Sequence, residues 1–209
     1  MTIREHDAVG EYARVFGHPI HTDLTMPTLK LRKLRVKLLQ EEFDETIDAA
    51  ALSDVLEVAD GLVDTAYIAH GTLHAYGLRY NPRGYATEIV GLGGAMRPYL
   101  YAEHEFLSRR VFPGQPDALK LMAQIEEWLN RLLVEVRFAA RDLGLPPFKA
   151  LFDEVHAANM RKLGPDGKPI YRADGKNIKP EGWVGPNHRR IFEMYDVHIP
   201  TPLPKPVAA

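Results

Sequence analysis

The stretch Leu38–Asp48, "LLQEEFDETID", sets five carboxylates (Glu41, Glu42, Asp44, Glu45 and Asp48) into eight consecutive positions directly after an apolar lead-in. Like charges three and four apart on a helix repel by roughly 0.2–0.5 kcal/mol per pair, so a helix that crowds them is compensated from outside itself. At about 100° per residue, Leu31, Leu34 and Leu38 lie on one stripe, and the stripe runs on through Glu41, Glu42 and Glu45. A solvated charged face would lie opposite the leucines. Here the core-facing stripe itself turns acidic.

A second stripe follows. Within "DVLEVADGLVDTAYIAHGTLHAYG", Glu57, Asp60 and Asp64 fall at i, i+3 and i+7, within roughly 60° of one another on a helix. Thr28 is positioned to cap the first of these helices, which runs from Leu29 to about Ala51. Ser53 is expected to cap the second, which stops at Gly77. A link this short predicts an antiparallel hairpin in which the two acidic stripes face each other. From Glu41 to Asp64 there are nine acidic residues and no Lys or Arg. Gathered in one partly buried volume, such carboxylates repel or take up protons unless cations neutralise them. Clustered Asp and Glu without His or Cys suit hard, oxygen-seeking Mg²⁺ or Mn²⁺. The inward residues Glu42, Glu45, Glu57 and Asp60 are the candidate ligands, Asp64 is a possible addition to the shell, and Asp44 and Asp48 read as solvated charges.

The remaining chain fits one helical domain over residues 1–198. Residues 4–16 form a short helix, 86–110 and 117–143 form two more, and "PPFKALFDEVHAANMRKL" forms another. After Gly164, two Asp-Gly pairs mark a small hairpin or ordered loop. The Pro-rich end, 199–209, reads as a disordered tail. A chain of 209 residues supports one sizeable core. A formal net charge of -2 argues against nucleic acid or an acidic membrane surface as the main partner. The absence of cysteine excludes disulfides and thiolate chemistry and suits a reducing cytoplasm. The segment "GLGGAM" reads as a flexible linker, and no Gly-Lys pair has the strand–loop–helix setting of a P-loop.

With these residues in place, the pattern resembles the all-alpha nucleoside triphosphate pyrophosphohydrolases, the superfamily of MazG, dimeric dUTPases and phosphoribosyl-ATP pyrophosphohydrolase. Their shared ExxE and ExxD correspond here to Glu42-Phe43-Asp44-Glu45 and Glu57-Val58-Ala59-Asp60. A second block, "VHAANMRKL" followed by "DGKPIYRADGKNIKP", resembles the C-terminal segment of the phosphoribosyl-ATP type. It implies nucleotide contacts at Asn159, Lys162, Arg172, Lys176 and Lys179. The segment from about 82 to 146 has no counterpart in a minimal member. The resemblance implies metal-dependent hydrolysis of a (deoxy)nucleoside triphosphate to the monophosphate and pyrophosphate, in control of a nucleotide pool, by a homodimer or homotetramer. The apolar helix "ALKLMAQIEEWLNRLLVEV" would supply the subunit interface. Glu41, one position before the ExxE, is the candidate general base, or else completes a metal shell.

Other readings are a phosphoribosyl-ATP pyrophosphohydrolase and a non-catalytic helical protein that binds metal in its acidic groove. A di-iron carboxylate bundle needs Glu-x-x-His turns, which the acidic helices lack. His70 and His74, an i, i+4 pair, point away from the acidic stripe and read as structural. The His18/His21 pair has no third ligand, and Trp183 and Tyr171 read as packing residues.

Overall fold

The computed structural model describes residues 4–85, 90–108, 115–171 and 177–204. Among them are seven α-helices: α1 (Glu5–Val15), α2 (Leu29–Ala51), α3 (Val55–Tyr76), α4 (Gly91–Ser108), α5 (Pro116–Asp142), α6 (Phe148–Met160) and α7 (His188–Met194). Among the described residues no helix is long and apolar enough to cross a membrane.

The α2–α3 hairpin begins and ends where local chemistry places it. Thr28 Oγ1 accepts from Leu31 N at 3.3 Å, and α3 closes on Gly77 in the left-handed region (φ +64°), where glycine carries no steric penalty. The cap between them shifts by one residue. Asp54, not Ser53, accepts from Glu57 N (3.4 Å), because Ser53 is used to reverse the chain at φ +56°. The two helices approach closely at Gly61, where a Cβ would lie 2.2 Å from Thr46 Oγ1. Thr46 is itself buried and bonded to the Glu42 carbonyl at 2.6 Å.

The α4–α5 hairpin packs against α2–α3, with α3 at the centre of the bundle. Ala59, Leu62, Val63, Ala66, Ala69 and Leu73 on α3 are all essentially inaccessible. On α5, Ile125, Leu129, Leu132, Leu133 and Val136 are fully buried inside the same chain, so the stripe expected to form a subunit interface is covered by neighbouring helices instead. The expectation of a linker at "GLGGAM" is overturned as well, since this segment is the start of α4. Glu135, reaching across from α5, accepts from Val90 N (2.8 Å) and Gly91 N (3.1 Å). A carboxylate at a helix N-terminus satisfies orphan amides and favours the helix dipole, and one supplied from 44 residues away leaves no local signature.

A buried polar link joins the hairpins. Arg32 Nε donates to Tyr76 Oη (3.2 Å), Tyr76 donates to Glu103 Oε1 (2.5 Å), and Arg32 Nη2 stands 3.7 Å from Glu103 Oε2. Helices α1 and α6 flank α3. Helix α7, which the sequence reading omitted, is capped by Asn187 on Arg190 N (3.0 Å) and anchored by Ile191 and Phe192. Its seven residues are too few to display a helical period. The segment after Gly164 contains no strand among its described residues, only the bridges Leu163–Pro169 and Tyr171–Asn177. Near the C-terminus, Leu203 N donates to Leu52 O at 2.7 Å.

Candidate active site

A cavity of about 450 Å³ opens between α1, α2, α3, the end of α6 and the loop that follows it. That is the size of a small-molecule site. Residues on α2 and α3 enter it at helical spacing: Leu31, Leu34, Arg35, Leu38, Glu41 and Glu42 from one helix, Asp64, Tyr67, Ile68 and Gly71 from the other. Because the helices run antiparallel, Glu42 faces Asp64 at one end and Arg35 faces Gly71 at the other.

Charge is concentrated at the carboxylate end. Asp64 is pushed up to about 8, first by burial, then by the neighbouring Asp60 and Glu42; Lys162 and His188 act in the opposite direction. The Glu57 carboxyl is raised by burial and by Asp60, Asp54 and Glu45, with His188 opposing. These couplings place Glu42, Glu45, Glu57, Asp60 and Asp64 within one field. Glu41 sits at the cavity rim, 47% exposed, with Lys37 Nζ at 3.3 Å. Glu45, Glu57 and Asp60 do not line the cavity but stand beside it. Among the described residues no three acidic or histidine side chains already converge as a cation cage. The donor set nevertheless suits a hard divalent ion: carboxylates in excess and partly desolvated, with Asp64 raised above its ordinary range first by burial and then by its acidic neighbours.

The cationic wall comes from the C-terminal half. Lys162 Nζ donates to Asn159 Oδ1 (2.6 Å), and Asn159, Lys162 and Lys179 all line the cavity. Trp183 holds the two lysines, whose ammonium groups lie 5.5 Å (Lys162) and 4.3 Å (Lys179) from its ring centre, in cation–π range. Its own Nε1 donates to Ala158 O (2.9 Å), and the Tyr171 hydroxyl donates to Phe16 O. Both aromatics therefore hold the loop in place, as expected. Arg172 and Lys176 lie outside the described residues.

Three participants escaped the sequence reading. His188 on α7 donates from Nε2 to Asp60 Oδ1 at 2.7 Å, holding a predicted ligand in the way an outer partner orients a metal-bound carboxylate. His18 lines the cavity beside Tyr12, ring centres 5.6 Å apart. Burial and the Arg35 charge drive its imidazole down to about 4. Arg35 completes the far end; its fit to the inward stripe, seven residues before Glu42, was the one available signal. His70 and His74 pack with His6 and do not line the cavity.

Comparison with known proteins locates the relationship in the first hairpin. Residues 9–84 match the family model described as phosphoribosyl-ATP pyrophosphohydrolase, which spans α2 and α3 and stops before α4–α6. A protein of Acanthamoeba polyphaga mimivirus is 27% identical over 184 aligned residues, covering 76% of this chain and 70% of the viral one. No solved structure matches the chain.

Proposed function

We propose, from the match of residues 9–84 to the phosphoribosyl-ATP pyrophosphohydrolase family model and the resemblance to the MazG-like all-alpha nucleotide pyrophosphohydrolases, that this chain hydrolyses a (deoxy)nucleoside triphosphate to the monophosphate and pyrophosphate with Mg²⁺ or Mn²⁺. The family match supports nucleotide pyrophosphohydrolase activity in general. The observation that carries the finer reading is the pairing of Glu42 and Asp64 at one end of a nucleotide-sized cavity whose opposite wall holds Asn159, Lys162 and Lys179.

Glu42, Glu45, Glu57 and Asp60 would hold the metal, with Asp64 able to join once a cation offsets the burial and the neighbouring carboxylates that disfavour its charge. A bound divalent ion supplies charge for the phosphate oxygens and acidifies water. Lys162 and Lys179 neutralise phosphate oxygens from the opposite wall. Glu41, at the rim, orients the attacking water and accepts its proton. His188 holds Asp60 in one orientation. Where the cavity walls screen the site from bulk solvent, charge–charge interactions inside are strengthened. The family match supports one second reading, phosphoribosyl-ATP as the substrate.

Chelation tests the metal assignment. Turnover of a triphosphate panel should stop with excess EDTA and return with Mg²⁺ or Mn²⁺. Turnover that survives exhaustive chelation would remove the metal from the account.

A further inference from the structure

Arg35 lines the cavity with its charge poorly compensated. Its Nε is fully enclosed and makes no hydrogen bond. Among the described residues no carboxylate pairs with the guanidinium, and the groups that favour its charge are the phenols of Tyr99 and Tyr12. A partly buried guanidinium whose Nε is enclosed without a partner is costly, and nothing in the fold of the bundle requires one there. A second unsatisfied atom lines the same cavity. Asn177 donates from Nδ2 to Tyr12 Oη (2.6 Å), which leaves Asn177 Oδ1 enclosed and without a donor. An unfilled donor and an unfilled acceptor thus share one cavity, with His18 uncharged beside them.

Their position defines which part of a ligand they meet. Arg35 precedes Glu42 by two helical turns on the same face, about 10 Å along the axis. That separation corresponds to the reach from a nucleotide's phosphates, placed at the carboxylate end, to its base. The local walls are apolar or aromatic, with Leu31, Leu34 and Tyr12, as a flat base requires. A phosphate would be repelled by the Asn177 carbonyl oxygen, whereas a base edge carrying a carbonyl beside a ring N–H satisfies both atoms.

We propose that the Arg35–Gly71 end of the cavity is a nucleobase subsite, in which Arg35 donates to a ring carbonyl and Asn177 Oδ1 accepts from the adjacent ring N–H. It selects guanine, uracil or thymine over adenine and cytosine, which present an amino group beside a bare ring nitrogen. The inference rests on the nucleotide reading above and adds the class of base. Gly71 is part of the device: a Cβ there would lie 2.7 Å from Arg35 Nη1, so only glycine leaves the guanidinium where it is.

Calorimetry with the α,β-imido triphosphates of guanosine, uridine, adenosine and cytidine plus Mg²⁺ tests this without relying on turnover. Wild type should bind the guanosine or uridine analogue about tenfold or more tighter than the adenosine and cytidine analogues, because a site built around hydrogen bonds rejects a ligand that cannot make them. Arg35→Met should erase that preference while binding adenosine and cytidine analogues no worse. Gly71→Ala, which displaces the fork but keeps its charge, should weaken it in the same direction. Equal wild-type binding of all four, no binding of any, or an unchanged preference in Arg35→Met would overturn the subsite. So would equal weakening of all four by Arg35→Met, which would assign the arginine to phosphate. Hydrolysis of the parent nucleotides, measured in parallel, decides the enzymatic reading separately: base-selective binding without turnover would leave the subsite and remove the hydrolase.

Discussion

Individual side chains at this site act mainly through what surrounds them. Asp60 is held by His188, so His188→Ala should lower Mg²⁺ affinity or turnover by about 10–100-fold while the circular dichroism spectrum stays helical; an unchanged metal titration would reduce His188 to packing. A second residue-level consequence lies outside the cavity. His6 is stacked on His74 (3.9 Å) and Tyr80 (4.9 Å), with His70 Nδ1 at 3.2 Å from its own. Arg137 stands near His70 from α5. Burial, then His74, pushes the His6 imidazole down to about 4. The unfolded chain takes up this proton near pH 6.5 and the folded chain only near 4, so between these values the unfolded state binds more protons and stability falls as the pH drops. The melting temperature should therefore decline from pH 7 to pH 5, and less steeply in His6→Gln. Such residues were invisible in sequence because their neighbours come from distant positions: nothing local ties His188 to Asp60, or His6 to His70. Arg35, by contrast, stood on a stripe already drawn through Leu31, Leu38 and Glu42.

At the level of elements, the acidic helices were the most legible part of the chain. Their boundaries follow from Thr28 and Gly77, and their facing stripes from a period of 3.6 and a link of three residues. What failed was whatever depended on another element: "GLGGAM" is helical because Glu135 caps it, and α7 is held by Ile191 and Phe192 against the bundle. The register of α2 on α3 is set where Gly61 meets Thr46. Gly61→Ala forces an atom into a space that Thr46 occupies and cannot vacate without losing its bond to Glu42 O. It should destabilise the protein by about 1–3 kcal/mol in urea unfolding. A neutral result would mean that the hairpin has slack at this contact, and that the spacing of Glu42 from Asp64 is set elsewhere.

For the whole molecule, the segment from 82 to 146 resolves into a helical pair that completes the core within one chain. The sequence showed its helices but not their partner, because an apolar stripe looks the same whether it meets its own chain or another. The Arg32–Tyr76–Glu103 link carries the coupling between the two hairpins. Burial raises the Glu103 carboxyl from its ordinary range, while Tyr76 and Arg32 act to lower it. Glu103→Ala takes a buried carboxylate from Arg32 and should cost about 3–5 kcal/mol, with a smaller loss for Glu103→Gln, which keeps a hydrogen-bond acceptor for Tyr76. Equal stabilities of both variants and wild type would show that the hairpins are joined by apolar packing alone. With the core closed in this way, the α2–α3 carboxylates and the lysines that follow α6, Lys162 and Lys179, meet across one cavity, and the function rests on the chemistry done there. The most direct test is product analysis: purified protein, Mg²⁺ and a panel of ribo- and deoxynucleoside triphosphates, with pyrophosphate and orthophosphate quantified separately for wild type and Glu42→Gln. Wild type should release monophosphate and pyrophosphate in equal amounts, and Glu42→Gln neither. Orthophosphate and diphosphate as the products, or turnover undiminished in Glu42→Gln, would contradict it.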